Sequence, residues 1–397
     1  MKKNTILFLE WHSFGTPFII EAFQKSGYSL VREAFPRDKI DTRNDAEYTE
    51  KLVHLILDRE YACVFTVNYF PVVAIACKAC RIPYVSWTYD SPFVQLYSTT
   101  LEFDTNFVFV FDSHTVQELR SMGYHNVYYM PMAVPEDYYE EMLQKQYNKS
   151  RYRCEAVFVG SLYSEDFHNP FRKMKELTGY YKGLIDGLLQ AQRKVYGYQF
   201  LQELLEEMPD LVEQIDRLCP FRIAGDGLET IEWVYANYYL LRQVTALDRR
   251  ILLEQMAERF HICVYTPEKA RIPHADVRGK ADYYAEAPYV YHNSKINLNI
   301  TLRSIQTGIP LRAFDIMGCG GFLLSNWQED FLEYFEPEED LVLYESSEEA
   351  VDKAAFYLEH ETERRRIAEN GRQKVRKEHT YFHRIKDMCA YIEDYWS

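Results

Sequence analysis

The order of apolar runs along this 397-residue chain constrains its fold more than any other feature. Runs too short for helices alternate with stretches whose apolar residues recur at helical spacing. Thr5 to Trp11, Ala62 to Val67, Pro83 to Thr88, Phe107 to Phe111 and Val127 to Met130 read as strands. Between them Pro17 to Ser26, Pro71 to Cys80 and Ser113 to Met122 read as helices, and Gly27 and Gly123 stand where helices stop. Strand, helix and strand in repeated order predict an α/β unit with a parallel sheet and helices on both faces.

Tyr138 to Arg153 is mostly polar, shows no clear hydrophobic period and reads as a linker. Strand signals return at Ala156 to Val159, ending on Gly160-Ser161, and again at His261 to Tyr265, Ile296 to Ile300, Phe322 to Leu324 and Leu341 to Tyr344. Phe171 to about Phe260 is helical in pattern, as are Pro310 to Gly318, Ser347 to His360 and Glu361 to Lys377. The expected organisation is two doubly wound, Rossmann-like domains. The first covers 1–150. The second covers 151–380 and carries a helical insertion at about 171–260. Residues 381–397 form a last helix that rejoins the first domain. Two such sheets facing a cleft favour an enzyme that handles a nucleotide, because open parallel sheets bind ligands at the carboxyl ends of their strands.

A formal charge of -15 repels phosphate backbones and anionic lipid, so neither nucleic acid nor bare membrane is an expected partner. A local basic pocket still suits a small anionic substrate. The apolar run Ile6 to Leu9 is too short for a secretion signal, and no stretch reaches the ~20 apolar residues of a membrane span. A cytoplasmic protein is expected. The eight cysteines lie mostly in apolar runs, as buried thiols do, and the lone Cys77-x-x-Cys80 lacks two further zinc ligands. No metal site is expected.

The segment Lys295 to Ser325 carries the most chemistry. Asn297 and Asn299 share one face of a strand, which fits either a polar network near a site or a solvated edge. After the loop Thr301 to Ile309, Pro310 stands at an expected helix start, where its missing N–H costs nothing. Gly308 allows close backbone approach, and the helix end attracts anions. Arg312 suits phosphate, and Asp315, three residues on, suits the two hydroxyls of a ribose, although the same pair could be a plain i,i+3 ion pair.

The runs Leu298-Asn299-Ile300-Thr301-Leu302-Arg303-Ser304, Thr307-Gly308-Ile309-Pro310-Leu311-Arg312-Ala313-Phe314-Asp315 and Gly318-Cys319-Gly320-Gly321-Phe322-Leu323-Leu324-Ser325 closely resemble the CgeB-like glycosyltransferases, named for a bacterial spore maturation protein. Arg364 to Gly371, His379-Thr380-Tyr381, Phe158 to Tyr163 and Trp87 to Pro92 extend the resemblance. It implies a GT-B fold whose second domain holds a nucleotide-diphosphate sugar, with uridine the expected base and no separate cofactor. By position, Asp315 would bind ribose, Thr307, Gly308, Ile309 and Arg312 would hold the diphosphate, and Arg303 would belong to the same donor-binding set. Gly160 and Ser161 would form the facing loop, and Thr266 would lie near the base. The retaining pattern of two glutamates eight positions apart is replaced by Asp315 and Leu323, so the resemblance leaves the stereochemical outcome open. Gly225-Asp226-Gly227 reads as a plain turn. Asp90 and His12, each following a strand, are the candidate general bases on the acceptor side, with capping and surface roles as the plainer readings. The acceptor is not specified. A nucleotide-sugar epimerase or a non-catalytic spore or surface assembly protein are the competing functions.

Overall fold

In the computed structural model, which describes residues 3–164 and 171–397, the chain forms two compact units. The first comprises 1–133, 223–229 and 379–397, and the second 134–222 and 230–378.

In the first unit six parallel strands form one sheet. They are β1 (Thr5–Glu10), β2 (Ser29–Ala34), β3 (Cys63–Val67), β4 (Tyr84–Thr88), β5 (Asn106–Val110) and β6 (Val127–Tyr129), in the order β2-β1-β3-β4-β5-β6. β3 and β4 are buried along their whole length, as strands covered on both faces must be, whereas the edge strand β2 is not. The last helix, Tyr381–Trp396, buries Ile385, Met388 and Ile392 and packs against the helix Thr16–Lys25. Tyr391 packs edge-on against Phe109 and tilted against Tyr128, and Trp396 donates its indole N–H to the Ala62 carbonyl (2.8 Å).

The Gly225–Gly227 turn also packs into this unit. Gly227 bridges Ser98, while Arg43 pairs with Asp226 (3.2 Å) and with buried Glu229 (3.0 Å). This turn is thus a fastening segment, and its carboxylates are spent on Arg43.

The second sheet holds β7 (Ala156–Val159), β8 (Ile262–Tyr265), β9 (Asp276–Arg278), β10 (Ile296–Asn299), β11 (Leu323–Asn326) and β12 (Val342–Tyr344), all parallel, in the order β12-β11-β10-β7-β8-β9. By position this is the 3-2-1-4-5-6 order of a dinucleotide-type sheet. β10 is therefore central, which settles its two asparagines as part of an internal network and not a solvated edge. Asn297 donates to the Tyr291 carbonyl, and Asn299 to Thr301 Oγ1 and Ser325 Oγ.

The sequence expectation did not include β2, β9 or the helix Ala46–Leu57, and two further segments differ from it. The stretch read as a linker contains the helix Glu136–Gln144, whose Tyr139 and Met142 are buried within the second unit, and Tyr152 packs against Tyr289. Its period is carried by tyrosines, whose rings bury while their hydroxyls find partners, so a polar reading hides it. The helical insertion has its own core around Ile185, Leu189, Leu205 and Ile215. However, the helix Leu241–Arg259 belongs to both parts. Leu241 and Val244 enter the insertion core, whereas Leu252, Leu253 and Met256 pack on the sheet as the β7-to-β8 crossover.

Candidate functional site

In the second sheet the strand order reverses between β7 and β10, and ligand crevices open at the carboxyl ends of strands beside such a switch point. β7 leads into Gly160, and β10 ends on Asn299. The helix Leu311–Gly318 starts nearby with Pro310 as its N-cap, one residue later than the sequence predicts. Arg312 in its first turn places its guanidinium between these strand ends. Its Nη1 donates to Asn299 Oδ1 (3.2 Å), and the group lies 5.3 Å from the Phe158 ring centre. A Cβ on Gly160 would stand 2.6 Å from Arg312 Nη2. Among the described residues no carboxylate comes within 4.0 Å of this half-buried cation, and it forms no ion pair with Asp315.

Asp315, one turn on, is 2% exposed. Its Oδ1 accepts hydroxyl hydrogens from Tyr139 (2.6 Å) and Tyr283 (3.2 Å), and its Oδ2 accepts none from the described residues. Burial pushes its carboxyl up to about 7, against the opposing pull of the two tyrosines and Arg312. The sequence reading missed both tyrosines, since one lay in the supposed linker and the other in an irregular segment. Gly321 makes room behind the site: a Cβ there would meet Asn297 Nδ2 at 2.6 Å.

Other sequence candidates are already engaged. Ser161 donates to Glu268 Oε1 (2.5 Å), and Thr266 donates to Glu268 Oε2. Glu268 also accepts the backbone N–H of Leu162 and Tyr163. Burial would raise its carboxyl, but these donors outweigh it and hold it below the usual range. Ser161 thus ties the loop after β7 to the loop after β8 through Glu268, which Thr266 holds from within its own loop.

Arg303 is likewise spent. It pairs with Asp248 (2.7 Å), donates to the carbonyls of Arg193 and Val195, and stacks on Tyr196. It anchors the helical insertion, which explains why an arginine in the motif need not face a diphosphate. Thr307 and Gly308 have their carbonyls held from behind by the Asp330 N–H (3.1 Å) and Gln328 Nε2 (3.0 Å), and Ile309 is fully buried. Arg249, which the sequence did not single out, is 2% exposed and fastens the ends of β7 and β10 by donating to the Ser161 and Ile300 carbonyls.

Residues 193–390, close to half of the chain, match the family model described as glycosyl transferase-like. Among solved structures, a glycosyltransferase from Rickettsia africae aligns with a TM-score of 0.55 at 10% identity, covering 100% of both chains. Sucrose-phosphate synthase from Thermosynechococcus elongatus aligns with a TM-score of 0.56 at 9% identity over 99% of each chain. The Anabaena protein HepE, in complex with UDP-glucose, aligns at 0.54 and 10% identity, covering 98% of this chain and 99% of its own. The protein is a GT-B glycosyltransferase. No curated protein matches it in sequence.

In the first unit of this glycosyltransferase, Asp90 follows β4 and His12 follows β1, with β3 between them, so both stand at the carboxyl edge of the sheet. Asn68, after β3, organises this edge. It is fully buried, adopts φ +64°, donates to Asp90 Oδ2 (2.7 Å) and accepts the Tyr89 and Asp90 N–H groups. Crowding by protein atoms raises the Asp90 carboxyl above its ordinary value, against the pull of Asn68 and Arg37, even though water reaches the residue. His12 is exposed and makes no hydrogen bond to a described residue. The polar Asn68 at the end of an apolar strand was a visible signal that the sequence reading passed over.

Elsewhere in the glycosyltransferase, His261, Cys263 and Asp276 bring potential ligand atoms within 4.8 Å of one another. They lie toward the amino end of β8, opposite Thr266, and Asp276 is already bound by Arg278 (2.7 Å). Among the described residues no helix is long and apolar enough to cross a membrane.

Proposed function

We propose that the enzyme, a CgeB-like GT-B transferase, takes its sugar from a uridine diphosphate donor held in the second unit. One observation carries this reading: Arg312, a half-buried cation with no carboxylate partner among the described residues, stands at a helix start beside the switch point of a parallel sheet. In a chain with sixty acidic residues, such a cation is suited to an anion from outside. UDP and UDP-glucose in the HepE complexes favour uridine as the base.

In this reading the diphosphate lies against Gly160, the loop at Thr307 to Ile309 and Arg312. The ribose hydroxyls approach Asp315 through Oδ2, since Oδ1 is taken. When the acceptor oxygen attacks the anomeric carbon, the bond to the diphosphate breaks and its charge falls on Arg312 and the helix N-terminus. These supply the countercharge in place of a metal ion. In an inverting reaction the acceptor proton passes to a base of the first unit, Asp90 or His12. Calorimetric titration with UDP, and a screen of UDP-sugars by thermal shift, test the reading. Wild-type protein that binds no uridine nucleotide overturns it.

A further inference from the structure

A second cationic site lies in the second unit, beyond the loop that follows Gly160. A pocket of about 480 Å³ is lined by Arg172, Lys175, Arg250, Lys269 and Arg271, and among the described residues none of the thirteen that line it is acidic. Arg250 pairs with Glu254, but Lys175, Lys269 and Arg271 have no carboxylate within 4.0 Å among the described residues. The charge runs against the whole chain, in which acidic residues outnumber basic ones by sixty to forty-five. The rim is also built. Glu268 binds the Ser161 hydroxyl and the Leu162 and Tyr163 N–H groups, so the two loops that carry Tyr163 and Lys269 are fixed to each other. Leu162 and Ile272, both buried, give the pocket an apolar floor. Tyr163, with Arg242 and Arg249 stacked on it, is the wall nearest the Gly160 loop.

We propose that this pocket binds the phosphate group of a phosphorylated acceptor, a site separate from the donor cradle. A pocket whose charged lining is cationic suits a phosphate dianion, and the apolar floor suits the face of a sugar ring. The word acceptor rests on the transferase reading above, whereas the anion site itself does not.

The test is calorimetric titration at constant ionic strength of UDP-saturated protein with inorganic phosphate, glucose 6-phosphate and glucose. Phosphate should bind saturably with UDP present, glucose 6-phosphate more tightly, and glucose not at all. The double variant K269E/R271E should weaken both anions by about tenfold or more while leaving UDP affinity unchanged, because these side chains are exposed and remote from the core. R312A should show the converse, losing UDP affinity while still binding phosphate. Absence of saturable phosphate binding, or binding unchanged in K269E/R271E, overturns the site. Equal affinity for phosphate and glucose 6-phosphate overturns the acceptor assignment. Failure of the wild type to bind UDP overturns the donor reading alone, and the phosphate titration is then read on the UDP-free protein.

Discussion

The guanidinium of Arg312 occupies the space into which a side chain at residue 160 would project, 2.6 Å from where a Cβ would lie. Gly160 is thus small because a cation must rest against the backbone there. Gly160→Ala pushes on the mobile end of a long side chain, but the backbone there has φ +159°, which an L residue adopts only with strain, and the Cβ would also meet the Phe158 ring at 3.2 Å. We expect a lower Tm together with weaker UDP binding. Arg312→Ala removes the charge-assisted contact outright and should weaken UDP by about 1.5–3 kcal/mol. Calorimetry on the two folded variants checks both, and unchanged affinity in Arg312→Ala removes the diphosphate assignment.

Asp315 sets a pH dependence of stability. Its folded value of about 7 lies above its ordinary 3.8, so between these limits the native state holds a proton that the unfolded chain has released. Its contribution is therefore fully present below pH ~4 and is lost as pH rises through about 7, a change of roughly 4 kcal/mol. Asp315→Asn should flatten this part of the stability profile and raise stability at pH 8 relative to wild type. Denaturant melts of both proteins from pH 4 to 8 would show parallel curves if the carboxyl were not so perturbed.

Arg303 gives the opposite kind of result. Its guanidinium is divided between Asp248, two carbonyls and Tyr196. Arg303→Met leaves the Asp248 carboxylate with only Arg193 and should cost about 3–5 kcal/mol in stability. UDP affinity of the folded fraction should stay near wild type. A selective loss of donor binding without loss of Tm would return Arg303 to the donor site.

On the acceptor side, Asp90→Asn should lower turnover by about 10²–10⁴ if Asp90 is the base, with UDP binding intact. The amide keeps the contact with Asn68, so the loop should hold its shape. His12→Ala is the comparison. Near-normal turnover in both variants would place the base elsewhere or favour a retaining reaction.

Metal independence is tested most directly. Turnover should survive a chelator, with no gain from magnesium or manganese, because Arg312 and the helix start carry the countercharge. Activity lost to chelator and restored by either ion contradicts this.

β7, β8, β10, β11 and β12 were legible because each is a short apolar run, whereas β9, Asp276-Val277-Arg278, carries no such signal; the motif from Leu298 to Ser325 was legible because it is continuous in sequence. Side chains that act through space were not. Tyr139 reaches Asp315 across 176 positions, and Glu268 takes the hydroxyls of Ser161 and Thr266 from a loop with no distinguishing pattern. Motif position alone also gave Arg303 a role in donor binding, since spacing shows where a residue stands but not which carboxylate has already claimed it.

The first unit is closed by the last residues of the chain. Phe107, Phe109 and Tyr128 are covered by Tyr391 and Tyr395, which a ribosome makes some 250 residues after Ala133. At about 5–20 residues per second, that aromatic face stays uncovered for roughly 10–50 s of each synthesis. The amino-terminal unit therefore completes its core only once residues 379–397 have been made, and a nascent chain stalled before Tyr381 presents the cell with a greasy surface to shield.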